Sequence, residues 1–126
     1  MIVGTVNTNY EALISLVVRG PTGGWRTIDA VIDTGFSGFL TLPSSIIVPL
    51  SLIWRGEAQA ILGDGRRHHF DVFSATVEWD EQERHVEIDV AETSPLVGMG
   101  LLAGHDLCIE AVAGGKVSIE ARKGKT

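Results

Sequence analysis

Short runs of β-branched and aliphatic residues, cut at close intervals by glycine-rich turns, restrict this chain to an all-β fold. EALISLVVR (11–19) stops at Gly20-Pro21-Thr22-Gly23-Gly24, and WRTIDAVID (25–33) resumes the strand pattern, so the two form a hairpin. EAQAIL (57–62) and RHHFDVF (67–73) flank Gly63-Asp64-Gly65, a second hairpin signature. ATVEW (75–79) and RHVEIDVA (84–91) surround the polar turn DEQE; Val86, Ile88 and Val90 alternate there with His85, Glu87 and Asp89, the pattern of a half-buried strand. LCIEAV (107–112), the turn AGGK and VSIEA (117–121) make a closing hairpin, and the last four residues, KGKT, are expected to fray. FLTL (39–42) is a short apolar strand; residues 43–50 have room for one helical turn with Pro43 at its first position, limited by Pro49. LVGMGLLAG (96–104), after Pro95, has room for one or two turns of helix against its three glycines. A barrel or a sandwich satisfies this pattern.

At 126 residues the chain fits a single domain, 1–126, with no linker and no repeat of fixed period. Its net charge of −6, from 16 acidic and 10 basic side chains, comes without a basic cluster, so nucleic acid is not an expected partner. MIVGTVNTNY lacks the basic and apolar regions of a secretory signal, and FLTLPSSIIVPLSLI (39–53) is short and broken by Pro43 and Pro49. A membrane span needs about 20 apolar residues, so no membrane association is expected and the chain reads as soluble and cytoplasmic. Cys108 is the only cysteine, which excludes an internal disulfide, and its apolar context predicts a buried thiol. His68, His69, His85 and His105 lack zinc-ligand spacing, so neither a metal nor another cofactor is expected. Trp25, Trp54 and Trp79 are expected in the core or in a groove wall.

The chemistry concentrates in AVIDTGFSGFLTLP (30–43). A carboxylate at the end of an apolar strand is costly unless it is hydrogen-bonded or functional. Thr34 can brace the turn after Asp33, and Gly35, lacking a side chain, lets another group approach the carboxylate closely. Asp-Thr-Gly by itself also suits a plain turn. Its context is more specific: an apolar strand before it, another directly after it, and an apolar-apolar-Gly triplet later, Leu96-Val97-Gly98.

This order of parts resembles the retropepsin-like aspartic peptidases, the single-domain relatives of pepsin. In that family a strand enters D-T-G, an apolar strand follows, a glycine-bearing flap hairpin comes next, and an apolar-apolar-Gly triplet leads into a short helix and a final hairpin. Asp33-Thr34-Gly35, FLTL, Gly63-Asp64-Gly65, Leu96-Val97-Gly98, MGLLAG and the last two strands match it over nearly the whole chain. The resemblance implies a closed β-barrel with one short helix near the C-terminus. It also implies a homodimeric endopeptidase, because the chain holds one D-T-G and the mechanism needs two carboxylates. Asp33, Thr34 and Gly35 are then catalytic; Phe36, Ser37, the flap residues Gly63, Asp64 and Gly65, and Leu96, Val97 and Gly98 face a peptide or protein substrate. Dimer contacts in the family often use terminal strands, here IVGTV (2–6) and VSIEA (117–121). Two positions depart from the family: Phe36 replaces the usual Ala or Ser, where a ring is expected to fill part of the groove, and Gly100 replaces Asp or Asn. The alternative reading is a non-catalytic module of the same fold that binds a peptide or partner chain.

Overall fold

Alternation decides which face of each strand turns inward. In β2 (Ala12–Arg19), Ala12, Ile14, Leu16 and Val18 are buried while the residues between them are more exposed. A computed structural model describes residues 1–123, and the expectation of a frayed tail beyond Lys123 lies outside the described residues. In chain order the remaining elements are β1 (Ile2–Val6), β3 (Trp25–Ile32), β4 (Leu40–Leu42), α1 (Ser44–Ile47), β5 (Ile53–Ile61), β6 (Arg67–Trp79), β7 (Gln82–Val90), β8 (Leu96–Val97), α2 (Met99–Leu102), β9 (His105–Ile109) and β10 (Lys116–Ala121).

The strands form one sheet in the order β5-β6-β7-β4-β8-β3-β2-β1-β10-β9, which curls until β6 also pairs with β2 through Val17–Glu78, Val18–Val77 and Arg19–Thr76. That contact closes a ring of six strands, while β5 and the wing β1-β10-β9 lie outside it. Closure is therefore partial and not a clean barrel. Ile14, Val18, Leu40, Leu42, Val77, Ile88, Val97, Leu101, Val117 and Ile119 fill the interior. Each such side chain contributes about 1.5–3 kcal/mol by leaving water. Among the described residues no helix is long and apolar enough to cross a membrane.

Several local expectations need correction. The runs 67–73 and 75–79 are one continuous 13-residue strand, because Ser74 stays in register with Glu87 and Ile53 on its two neighbours. The turn after it is tighter than DEQE: Trp79 pairs with Gln82, and Asp80 and Glu81 take positive φ of 52° and 67°, the backbone of a two-residue hairpin loop. There are two short helices, not one, and Pro43 caps α1 from an extended conformation instead of opening it as the first helical residue. Cys108 is exposed: it pairs with Ser118 on the outer face of edge strand β9, while Leu107 and Ile119 turn toward the core. Trp79 is buried and donates its indole N–H to His105 Nε2 at 3.1 Å, which leaves Nδ1 to donate to the Ala103 carbonyl. Trp25 and Trp54 are exposed, which takes them out of the core. Of the two terminal strands, β10 has β1 and β9 on its two sides, whereas β1 meets β2 only at Thr5 and Val6.

Candidate active site

β3 ends at Ile32, and Asp33 is the first residue beyond it. The next strand begins at Leu40, so residues 33–39 form a loop between two arms of the sheet. β8 is threaded between those arms. It runs parallel to β3 through Val31–Leu96 and Ile32–Val97, and antiparallel to β4 through Leu40–Val97. The Asp33 amide donates to the Val97 carbonyl at 2.9 Å, continuing the β3–β8 ladder into the loop. Gly98 N–H donates to the Phe39 carbonyl (3.0 Å), Met99 N–H to that of Phe36 (2.8 Å) and Gly100 N–H to that of Gly38 (2.9 Å). Residues 97–100, the end of the Leu96-Val97-Gly98 triplet and the start of α2, thus hold the Asp33 loop along its length.

Within the loop, the Gly35 amide donates to Asp33 Oδ1 at 2.9 Å and the Phe36 amide to the Asp33 carbonyl at 3.2 Å. The carboxylate is half-buried, and Thr34 and Gly35 are exposed at the crest of the turn. Asp33 Oδ2 and the Thr34 hydroxyl make no hydrogen bond among the described residues. One carboxylate oxygen is fixed by the backbone and the other remains available.

The family departures have a structural basis. A β-carbon at Gly98 would lie 2.3 Å from the Gly38 carbonyl oxygen and 2.5 Å from Phe36 Cδ2, and one at Gly38 would lie 2.4 Å from Phe36 Cζ. The Phe36 ring therefore lies back over Gly38 and Gly98, which have no side chains to obstruct it. At Gly100 a β-carbon would come 2.8 Å from the same Gly38 oxygen, so glycine there permits the close backbone contact that its amide makes.

Ser37 is exposed in the same loop. Gly63, Asp64 and Gly65 are elsewhere, at the tip of the β5–β6 hairpin, where the Leu62 amide bonds the Arg66 carbonyl and Gly65 takes a φ of 84°. Asp64 is held below the usual carboxylate range by hydrogen bonds from the Arg66 amide and then its guanidinium. Residues 61–69 are exposed on both faces, and among the described residues no hydrogen bond joins this hairpin tip to the Asp33 loop.

Three contributors were not singled out in the sequence. Thr41 is buried between two core leucines, and its Oγ1 accepts from the Leu96 amide at 2.9 Å, pinning β8 to β4. Polarity in the middle of FLTL was the signal available for it. Thr41→Val keeps the shape but leaves that amide unpaired; it should cost about 1–3 kcal/mol, read as a lower denaturant midpoint, with Thr41→Ser losing less. Gly38 is the second, through the contacts above. Asp89 is the third. It pairs with Thr41 on one side and Val72 on the other, and it is half-buried although the alternation of β7 assigns it to the solvated face.

Burial, and next the neighbouring Glu87 charge, raise the Asp89 carboxyl above its ordinary range. The folded state therefore favours the protonated form, so stability is highest below the unfolded pKa and declines as pH rises through the folded one. Asp89→Asn should melt higher than the native protein at pH 7, and the difference should vanish near about pH 3, below the ordinary carboxylate pKa. Equal melting temperatures at both pH values would contradict this.

No family model matches the chain, and no curated protein matches it. Solved structures do. A retropepsin-like aspartic protease from Rickettsia conorii superposes with a TM-score of 0.59 at 15% identity, over 97% of this chain and 91% of that one. EIAV protease, complexed with the inhibitor HBY-793, gives a TM-score of 0.55 at 15% identity, over 76% of this chain and 88% of that one. With its six-strand closure and a triplet threaded beneath the Asp-Thr-Gly loop, this chain has the fold of the retropepsin-like aspartic proteases.

Proposed function

We propose that the chain is a homodimeric aspartic endopeptidase in which Asp33 of two copies forms the catalytic dyad. The observation that carries the reading is the position of Asp33: at the end of β3, on an exposed turn whose backbone is fixed by β8, within a retropepsin fold. One chain supplies one such carboxylate, and a two-fold axis is the commonest way to supply the second.

Two carboxylates at hydrogen-bond distance cannot both ionise freely, so they share a proton. The ionised member takes a proton from a water molecule, which attacks the peptide carbonyl; the protonated member donates toward the carbonyl oxygen and then assists the leaving nitrogen. The Gly35 amide on Oδ1 orients each carboxylate, and the Thr34 hydroxyl, with no partner among the described residues, is free to brace the second loop across the axis. The β5–β6 hairpin closes as a lid over an extended peptide that is held by backbone hydrogen bonds, with Phe36, Ser37 and the residues at Gly63–Gly65 beside it.

The test combines hydrolysis of an unfolded protein from about pH 3 to 8, a range that spans a split dyad titration, with sedimentation at the assay concentration. Cleavage by a dimer supports the reading. A strict monomer contradicts it, and a dimer that binds peptides without cutting them belongs to the non-catalytic alternative.

A further inference from the structure

Phe36 and Asp89 converge on one point of the Asp33 loop. The space that a side chain would take at Gly38 is filled from two directions: a β-carbon there would lie 2.4 and 2.5 Å from Phe36 Cζ and Cε1, and 3.2 Å from Asp89 Oδ2. Ring edge and carboxylate are therefore neighbours above Gly38. Asp89 occupies the junction of the loop with the root of the β5–β6 hairpin, since its partner Val72 pairs in turn with Gly56, where β5 is irregular.

The chain supplies no cation to this carboxylate. Among the described residues Asp89 has no hydrogen bond or ion pair through its side chain, and the charged group acting on it is another carboxylate, Glu87. Of the cations of the adjoining hairpin, His69 pairs with Glu57 and Arg66 with Asp64, and among the described residues Arg55, Arg67 and His68 make no ion pair with Asp89. Asp71, on the strand beside it, accepts from the Trp54 indole. A half-buried anion without a counter-charge is costly, and a cation delivered by a ligand removes that cost. The adjacent ring offers a face for the methylene stem of a long basic side chain and attracts its charged head.

We propose that Phe36 and Asp89 form a subsite that selects a lysine or arginine side chain in an extended peptide bound across the Asp33 loop. The proposal rests on the peptide-binding reading of the site and adds its specificity.

The test uses fluorescein-labelled extended peptides of fixed sequence in which one position at a time is arginine or leucine. Binding is measured by anisotropy with the Asp33→Asn protein, and cleavage with the native protein. At one position arginine should be preferred to leucine by about tenfold, in line with a partly desolvated charge pair. That ratio should collapse toward one when Asp89→Asn is added and persist with Asp89→Glu. Absence of an arginine preference at every position, or a preference that survives Asp89→Asn, overturns the subsite. Cleavage without arginine preference would overturn the subsite and leave the peptidase reading standing. Binding that depends on Asp89 without cleavage would do the reverse, and a protein that neither binds nor cuts loses both.

Discussion

Asp33→Asn is expected to lower the rate of peptide hydrolysis by at least about a thousandfold, the scale of losing general acid–base catalysis, while leaving the fold intact. The two halves of this prediction come from different parts of the geometry. The chemical half follows from the proton: an asparagine cannot take one from water, and a pair containing it cannot share one. The structural half follows from Oδ1, which accepts from the Gly35 amide at 2.9 Å and whose role an amide oxygen can keep. The melting temperature should therefore change little as activity disappears. Cleavage that survives in the variant would remove Asp33 from the mechanism, and a large loss of melting temperature would mean that its charge is structural.

Gly98→Ala should have the largest effect on stability of any single methyl group added to the Asp33 loop or to the segment that braces it. The backbone there is extended, with φ −99° and ψ 177°, a conformation that alanine adopts without strain. The obstacle is contact. The new methyl would meet the Gly38 carbonyl at 2.3 Å and the Phe36 carbonyl at 2.8 Å, and backbone atoms cannot swing aside as a flexible side chain does. Those atoms also belong to the segment whose carbonyls accept from Gly98, Met99 and Gly100. Overpacking of this kind costs about 1–3 kcal/mol and sometimes more, and each displaced hydrogen bond adds about 0.5–1.5 kcal/mol. A total near 3 kcal/mol corresponds to a fall in melting temperature of about 10 °C for a domain of this size. Thermal denaturation followed by circular dichroism checks it; an unchanged midpoint would show that the loop is not braced from below by β8.

Much of the architecture was legible because strand patterns and turn residues are local signals. The hairpin at residues 20–24, the alternation of Val86, Ile88 and Val90, and the closing hairpin all rest on residues close in sequence. What could not be read depends on long-range pairing. The continuity of β6 through Ser74 comes from its neighbours on both sides, and the exposure of Cys108 comes from the face that β9 presents at the sheet edge. The order of D-T-G and Leu96-Val97-Gly98 identified the two segments that meet, but not the Phe36 ring folded back over Gly38 and Gly98. Asp89 was hidden for the same reason. Alternation placed it outward on β7, and only the pairing of that strand with β4 brings it against the Asp33 loop.

The central claim, that two copies of Asp33 make one site, is tested most directly by mixing. Native and Asp33→Asn chains are combined in varying ratio at constant total concentration, allowed to exchange subunits, and assayed on the same unfolded protein. The account predicts that activity falls as the square of the native fraction, because a pair with one asparagine is inactive. A linear fall would mean that a single chain holds a complete site, and would contradict it.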